Sequence, residues 1–131
     1  MLRIESPFSE STERLASEVV DAAIEVHRRL GAGFLESMYV DALTIEFEYR
    51  GLLFERERPV LVTYRDKPLR THRLDLVVGS EILVEVKSVD RLAPVHHAQV
   101  ISYLTASGLR LAFLMNFNSA VLKSQLRRIV L

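Results

Sequence analysis

Three ionisable residues interrupt an otherwise apolar β-hairpin. In RLDLVVGSEILVEVKSV, residues 73–89, Asp75, Glu85 and Lys87 fall within runs of Leu, Ile and Val. Strand side chains alternate faces, so Glu85 and Lys87 share one surface with Cα atoms roughly 6–7 Å apart. Asp75 joins them only in one register. A three-residue loop, Gly79-Ser80-Glu81, sets it opposite Glu85, whereas a two-residue loop, Gly79-Ser80, sets it opposite Val84 and on the wrong face. Two carboxylates facing each other about 5 Å apart repel unless one is protonated or a cation lies between them. Mg²⁺, which takes one or two carboxylates and completes its octahedron with water and phosphate oxygens, suits such a pair. The plainer alternative is a surface salt bridge, and Glu48-Tyr49-Arg50 repeats the acid-x-base form elsewhere.

The elements that must carry these residues follow from periodicity. Leu15, Val19, Ala22 and Val26 recur at helical spacing over residues 11–30, with acids at the start, Arg28 and Arg29 in the last turn and Gly31 as the stop. Tyr39, Leu43 and Phe47 mark a second helix over 35–50. The period then changes to β in PVLVTY, LRTHRLDLVV and EILVEVKSV, separated by the turn-forming RDKP and GSE. A helix returns over 94–107, opened by Pro94, ended by Gly108 and expected to pack through Val95, Ala98, Ile101 and Leu104 or Thr105. LRLAFLMNF reads as a strand buried on both faces and QLRRIVL as a short edge strand. The order is ααβββαββ, an α/β fold with a mixed β-sheet flanked by helices. Leu43, Phe47, Ile101, Phe113 and Met115 are expected in its core.

At 131 residues the chain is the size of one domain, 1–131, with enough surface to bury for a core of its own. The absence of cysteine excludes disulfides and Cys-ligated metal centres. No long apolar run spans a membrane, and the N-terminal MLRIESPFSESTERL lacks the pattern of a secretory signal, so a soluble, cytoplasmic protein without a membrane partner is expected. The net charge is zero, but it is divided: residues 1–48 hold 10 acids against 4 bases, net −6, and residues 49–131 hold 7 acids against 13 bases, net +6. One acidic and one basic side would follow if the fold keeps these surpluses apart.

An acid in one strand, Glu-x-Lys in the next and a helix bearing QVISY, Gln99-x-x-x-Tyr103, together resemble the PD-(D/E)XK nuclease superfamily. GFLESMY, Gly33-x-x-Glu36-x-x-Tyr39, further resembles the signature of the GxxExxY protein family within it. The likeness runs from EVHRRLGAGFLESMY through HRLDLVV, LVEVKSV and HHAQVISYL to MNFN and RRIVL. Ala32 stands where that pattern commonly has Pro, and Leu74 precedes Asp75 where a Pro is nominal; neither departure removes a charge.

The resemblance implies a restriction-endonuclease-like core and a Mg²⁺- or Mn²⁺-dependent nuclease that hydrolyses nucleic acid, DNA before RNA, with metal-activated water. It implies metal ligation by Asp75, Glu85 and the Val86 carbonyl, with Glu36 completing the acidic cluster. Lys87 would act on the attacking water and the transition-state charge, and Gln99 would orient one or the other. Tyr103, Tyr39, His27 and His96 follow at second rank, and Arg70, Arg73 and Arg91 are the candidate phosphate contacts. The competing expectation is a nuclease-fold module that binds nucleic acid or a protein partner without cutting; a homo-oligomer is compatible with either.

Overall fold

The computed structural model describes residues 5–131; of the N-terminal stretch read above, residues 1–4 lie outside them. Two helices, α1 (Glu10–Leu30) and α2 (Glu36–Tyr49), precede strands β1 (Phe54–Tyr64), β2 (Lys67–Val78) and β3 (Ile82–Lys87). Then come α3 (Pro94–Ser107), β4 (Leu111–Asn116), a 3₁₀ turn (Leu122–Gln125) and β5 (Leu126–Val130). The five strands form one sheet in the order β1-β2-β3-β4-β5, antiparallel except for the parallel β3–β4 pair that α3 connects. This is the mixed α/β architecture and the ααβββαββ order expected from the sequence.

The sheet separates two cores. On one face Val19, Ala22, Val26, Tyr39, Leu43 and Phe47 of α1 and α2 pack on Leu76, Val78, Val84, Val86, Phe113 and Met115. On the other, Val100 and Leu104 of α3 pack on Leu74, Val77, Leu83, Ala112 and Leu114. Every residue of β4 is buried, as a central parallel strand requires. Ser9 caps α1 by accepting the Thr12 N–H, and Gly108 ends α3 in the left-handed region at φ 76°.

Two sequence expectations are corrected. Strand β1 starts five residues before PVLVTY, because the charged FERER segment pairs with the end of β2 from Phe54↔Val78 onward. Helix α3 is turned nearly opposite to its apolar stripe: Val95, Ala98 and Thr105 are exposed and Ile101 is half-buried, while Val100 and Leu104 face the sheet. That rotation brings Gln99 and Tyr103, one helical turn apart, toward the strands.

Candidate active site

The β2–β3 turn settles the register. The Glu81 N–H donates to the Val78 carbonyl across Gly79 and Ser80, whose φ angles are 60° and 59°, and Glu81 is then an extra residue before pairing begins at Val78↔Ile82. A Cβ at position 79 would lie 2.6 Å from Leu15 Cδ2 of α1 and would displace that side-chain end, so the left-handed φ is the stronger reason for glycine there. The ladder continues through Val77↔Leu83 and Leu76↔Val84, so the next residues to meet are Asp75 and Glu85.

There the ladder gives way to side chains. The Asp75 N–H donates to Glu85 Oε1 at 3.2 Å, and the Val86 N–H donates to Asp75 Oδ2 at 2.8 Å. Each carboxylate thus takes the place of a strand carbonyl, and the pair is locked to two backbones. The β1 side is irregular at the same level: pairing runs Arg56↔Leu76 and Arg58↔Leu74, with Glu57 between them at φ 57°. Leu74 faces the α3 side and Leu76 the α1–α2 side, a phase slip that leaves Asp75 directed along the sheet toward β3.

Glu85 is only 4% exposed. Burial and the neighbouring Asp75 charge raise its pKa from 4.5 to about 8, against the smaller pull of Lys87. Lys87, half-buried, makes no ion pair within 4.0 Å among the described residues. The surface salt bridge considered from the sequence is therefore not formed. What stands in its place is a buried Glu85 beside a half-buried Asp75, with an uncommitted ammonium two residues along.

Helix α3 closes this face. Gln99 Oε1 is buried without a hydrogen-bond partner, the state of an acceptor aimed at a donor supplied from elsewhere. Tyr103 stacks on His72, with ring centroids 3.9 Å apart and planes 11° from parallel. Burial, then the charges of Glu85 and Asp75, raise the Tyr103 pKa; burial lowers that of His72 despite Asp75. His72 Nε2 is likewise buried and unpartnered. His72 had no role in the sequence reading; three residues before Asp75, it would lie on the opposite face of an unbroken strand, and the slip at Asp75 brings both to one site.

The other sequence candidates stand apart from this pair. Glu36 opens α2, and its carboxylate accepts the Ser88 N–H at 3.4 Å beside a depression of about 680 Å³ shared with Gly33, Phe34 and Asn118. No group of three or more His, Asp or Glu residues placed to hold a metal occurs among the described residues, so Glu36 is not gathered with Asp75 and Glu85. Tyr39 is buried, stacks on Phe117 at 4.6 Å, donates its hydroxyl to the Gly31 carbonyl and accepts the Phe34 N–H. Tyr39 thereby fixes the loop that presents Glu36. His27 Nε2 meets the Ser119 carbonyl at 2.8 Å, and His96 Nδ1 accepts the Ala93 N–H at the start of α3. Arg70, Arg73 and Arg91 are exposed.

Asn116, quoted within MNFN but given no role, positions the lysine and α3 together. It lies opposite Lys87 in the β3–β4 ladder, is fully buried, and its amide both accepts the Val89 N–H and donates to the Val89 carbonyl and to Gln125 Oε1. Gln125 in turn accepts the Leu92 N–H. The whole β3–α3 connection is thereby pinned to β4 and to the turn before β5.

No curated protein and no solved structure matches the chain. A family profile described as the PD-(D/E)XK nuclease superfamily matches residues 13–129, which contain both strands of the acid pair, Lys87 and the Gln99–Tyr103 helix. With nearly the whole sequence matched and the acid, Glu-x-Lys and helical Gln brought to one face of the sheet, the chain belongs to the PD-(D/E)XK nuclease superfamily.

Proposed function

We propose that the protein is a divalent-metal-dependent nuclease of the GxxExxY type, hydrolysing phosphodiester bonds in nucleic acid, with DNA as its substrate. The observation that carries this reading is the buried Glu85 and half-buried Asp75, each carboxylate held by a backbone N–H, beside an unpaired Lys87. Its all-oxygen donors fit Mg²⁺ or Mn²⁺, and the raised Glu85 pKa expresses the same demand for positive charge. Asp75 and Glu85 would hold the ion, with the Val86 carbonyl as a further oxygen and Glu36 acting at most through water. Once bound, the ion supplies Lewis acidity and lowers the pKa of coordinated water.

The remaining steps belong to the chain. The Lys87 ammonium, free of a carboxylate partner, donates to the attacking water or to a non-bridging phosphate oxygen and offsets the charge gathering there. The orphaned Gln99 carbonyl accepts from that ammonium or that water, fixing its direction. Tyr103 and His72 wall the site and exclude bulk water from one side.

The test is cleavage of linear, nicked, flapped and single-stranded DNA and of RNA with Mg²⁺ or Mn²⁺. Lys87→Ala should lose ~100-fold or more in rate while keeping metal affinity, because the ammonium acts chiefly in the transition state. Asp75→Ala and Glu85→Ala should lose both. Equal residual cleavage by wild type and Lys87→Ala across the panel would identify a contaminant and leave a non-cutting binding module.

A further inference from the structure

The β1–β2 hairpin outgrows the sheet. Strand β3 pairs with only the last three residues of β2, so the stretch from Lys67 to Asp75 has β1 on one side and no strand on the other. Eight steps at ~3.3 Å give a ribbon of about 26 Å that starts at Asp75 itself. Val60 and His72 pack the near part of the ribbon against α3, and beyond them an open cleft of about 520 Å³ lies between Leu61, Val62 and Thr63 and the Ile101, Ser102, Thr105 and Ala106 side of that helix.

Its exposed charge from Arg65 to Arg73 is four cations against the single acid Asp66. Arg65, Lys67, Arg70 and Arg73 are exposed, and none has a carboxylate within 4.0 Å among the described residues. The ion-paired arginines sit elsewhere, on α1, just after α2, near the start of β1 and on β5. The tip is a tight turn, with Arg65 and Asp66 at φ 50° and 63°, and Arg65 lies over the Tyr64 ring at 6.0 Å. Four uncommitted cations on a two-stranded ribbon call for a polyanion of matching width. The major groove of B-form DNA, about 12 Å wide, admits such a ribbon, whereas the deep, narrow major groove of an RNA duplex does not. A single strand would call for a platform of stacking aromatics, and between Val60 and Arg73 the arm carries one exposed aromatic, Tyr64.

We propose that the β1–β2 arm lies along the major groove of B-form DNA and sets the substrate class as duplex. Resting on the nuclease reading above, it places the Asp75–Glu85 pair at a phosphate of the same duplex, about 26 Å along the ribbon from the contacts of Arg65 and Lys67, at ~3.3 Å per residue.

The test measures binding by fluorescence anisotropy, with Ca²⁺ replacing Mg²⁺, on a DNA duplex of about two helical turns, its single strand and an RNA duplex of the same sequence. The probe proteins are wild type and the triple variant Arg65→Asn, Lys67→Gln, Arg70→Gln; Asn tolerates the left-handed turn position. Thermal unfolding and Mn²⁺ affinity, both expected to be unchanged, verify that the variant folds. Wild type should prefer the DNA duplex, and the variant's log–log salt slope on it should be shallower by about 2.7, or about 0.9 per lost phosphate contact. An unchanged slope, or the same change on the single strand, overturns the proposal. Cleavage of the duplex with an arm-independent slope removes the arm proposal and leaves the nuclease; arm-dependent duplex binding without cleavage does the reverse. Absence of binding to any nucleic acid overturns both.

Discussion

The two faces of the sheet are built from the same strands and differ in what they can spare. Toward α1 and α2 the packing is thick and apolar, with Tyr39, Leu43 and Phe47 fully buried against Leu76, Val84, Val86 and Met115. Toward α3 two fully packed aliphatic side chains, Val100 and Leu104, cover a face that also holds Glu85, Lys87, Gln99, His72 and Tyr103. Stability is concentrated on one side, and the other can afford a buried Glu85 beside Asp75 and two orphaned polar atoms. Substitutions should separate the two faces accordingly.

The largest loss of stability should come from the thick face. Phe47→Ala removes a fully buried ring and should lower unfolding free energy by about 3–5 kcal/mol in urea titrations. Next is the connection between the faces: Asn116→Ala strands the Val89 amide and carbonyl and Gln125, at about 1–3 kcal/mol. Because it also releases the segment between Lys87 and α3, cleavage should fall with it, in contrast to Phe47→Ala assayed well below its melting point.

Glu85 gives an effect whose size depends on pH. Between its ordinary 4.5 and its raised value of about 8, the folded chain keeps a proton that the unfolded chain has released, so stability of the metal-free protein declines as pH rises through that window. Glu85→Gln, which mimics the protonated acid, should therefore raise the melting temperature at pH 9 in the presence of chelator and leave it nearly unchanged at pH 4, below both values. An equal change at both pH values would remove the buried-charge account. Smallest of all, Lys87→Ala should shift stability by no more than about 0.5 kcal/mol, since the side chain has no ion pair to lose. A large destabilisation there would assign Lys87 to the scaffold.

Much of this division was legible in the sequence. Helical spacing identified Tyr39, Leu43 and Phe47, and continuous apolarity identified β4, because both signals come from burial of whole side chains. The hairpin was legible only up to a choice of loop length, which the left-handed Gly79 and Ser80 and the extra Glu81 decide. Asp75 in the plane of the sheet, and His72 with it, were hidden because alternation presumes an unbroken ladder and both carboxylates replace ladder carbonyls. The turn of α3 was hidden for the converse reason: Gln99 and Tyr103 face the strands, so polarity there marks the inside and Val95 the outside. Glu36 was placed with the acids by resemblance, whereas its neighbour in the fold is the Ser88 amide.

The central claim is that Asp75 and Glu85 form a cation site, and anomalous scattering from Mn²⁺-soaked crystals tests it without any need for the right substrate. The account predicts one strong peak bridging the Asp75 and Glu85 carboxylates on the α3 side of the sheet, lost in Asp75→Ala. A peak confined to the Glu36–Ser88 depression, or none at the acid pair with Mn²⁺ in large excess, would contradict it.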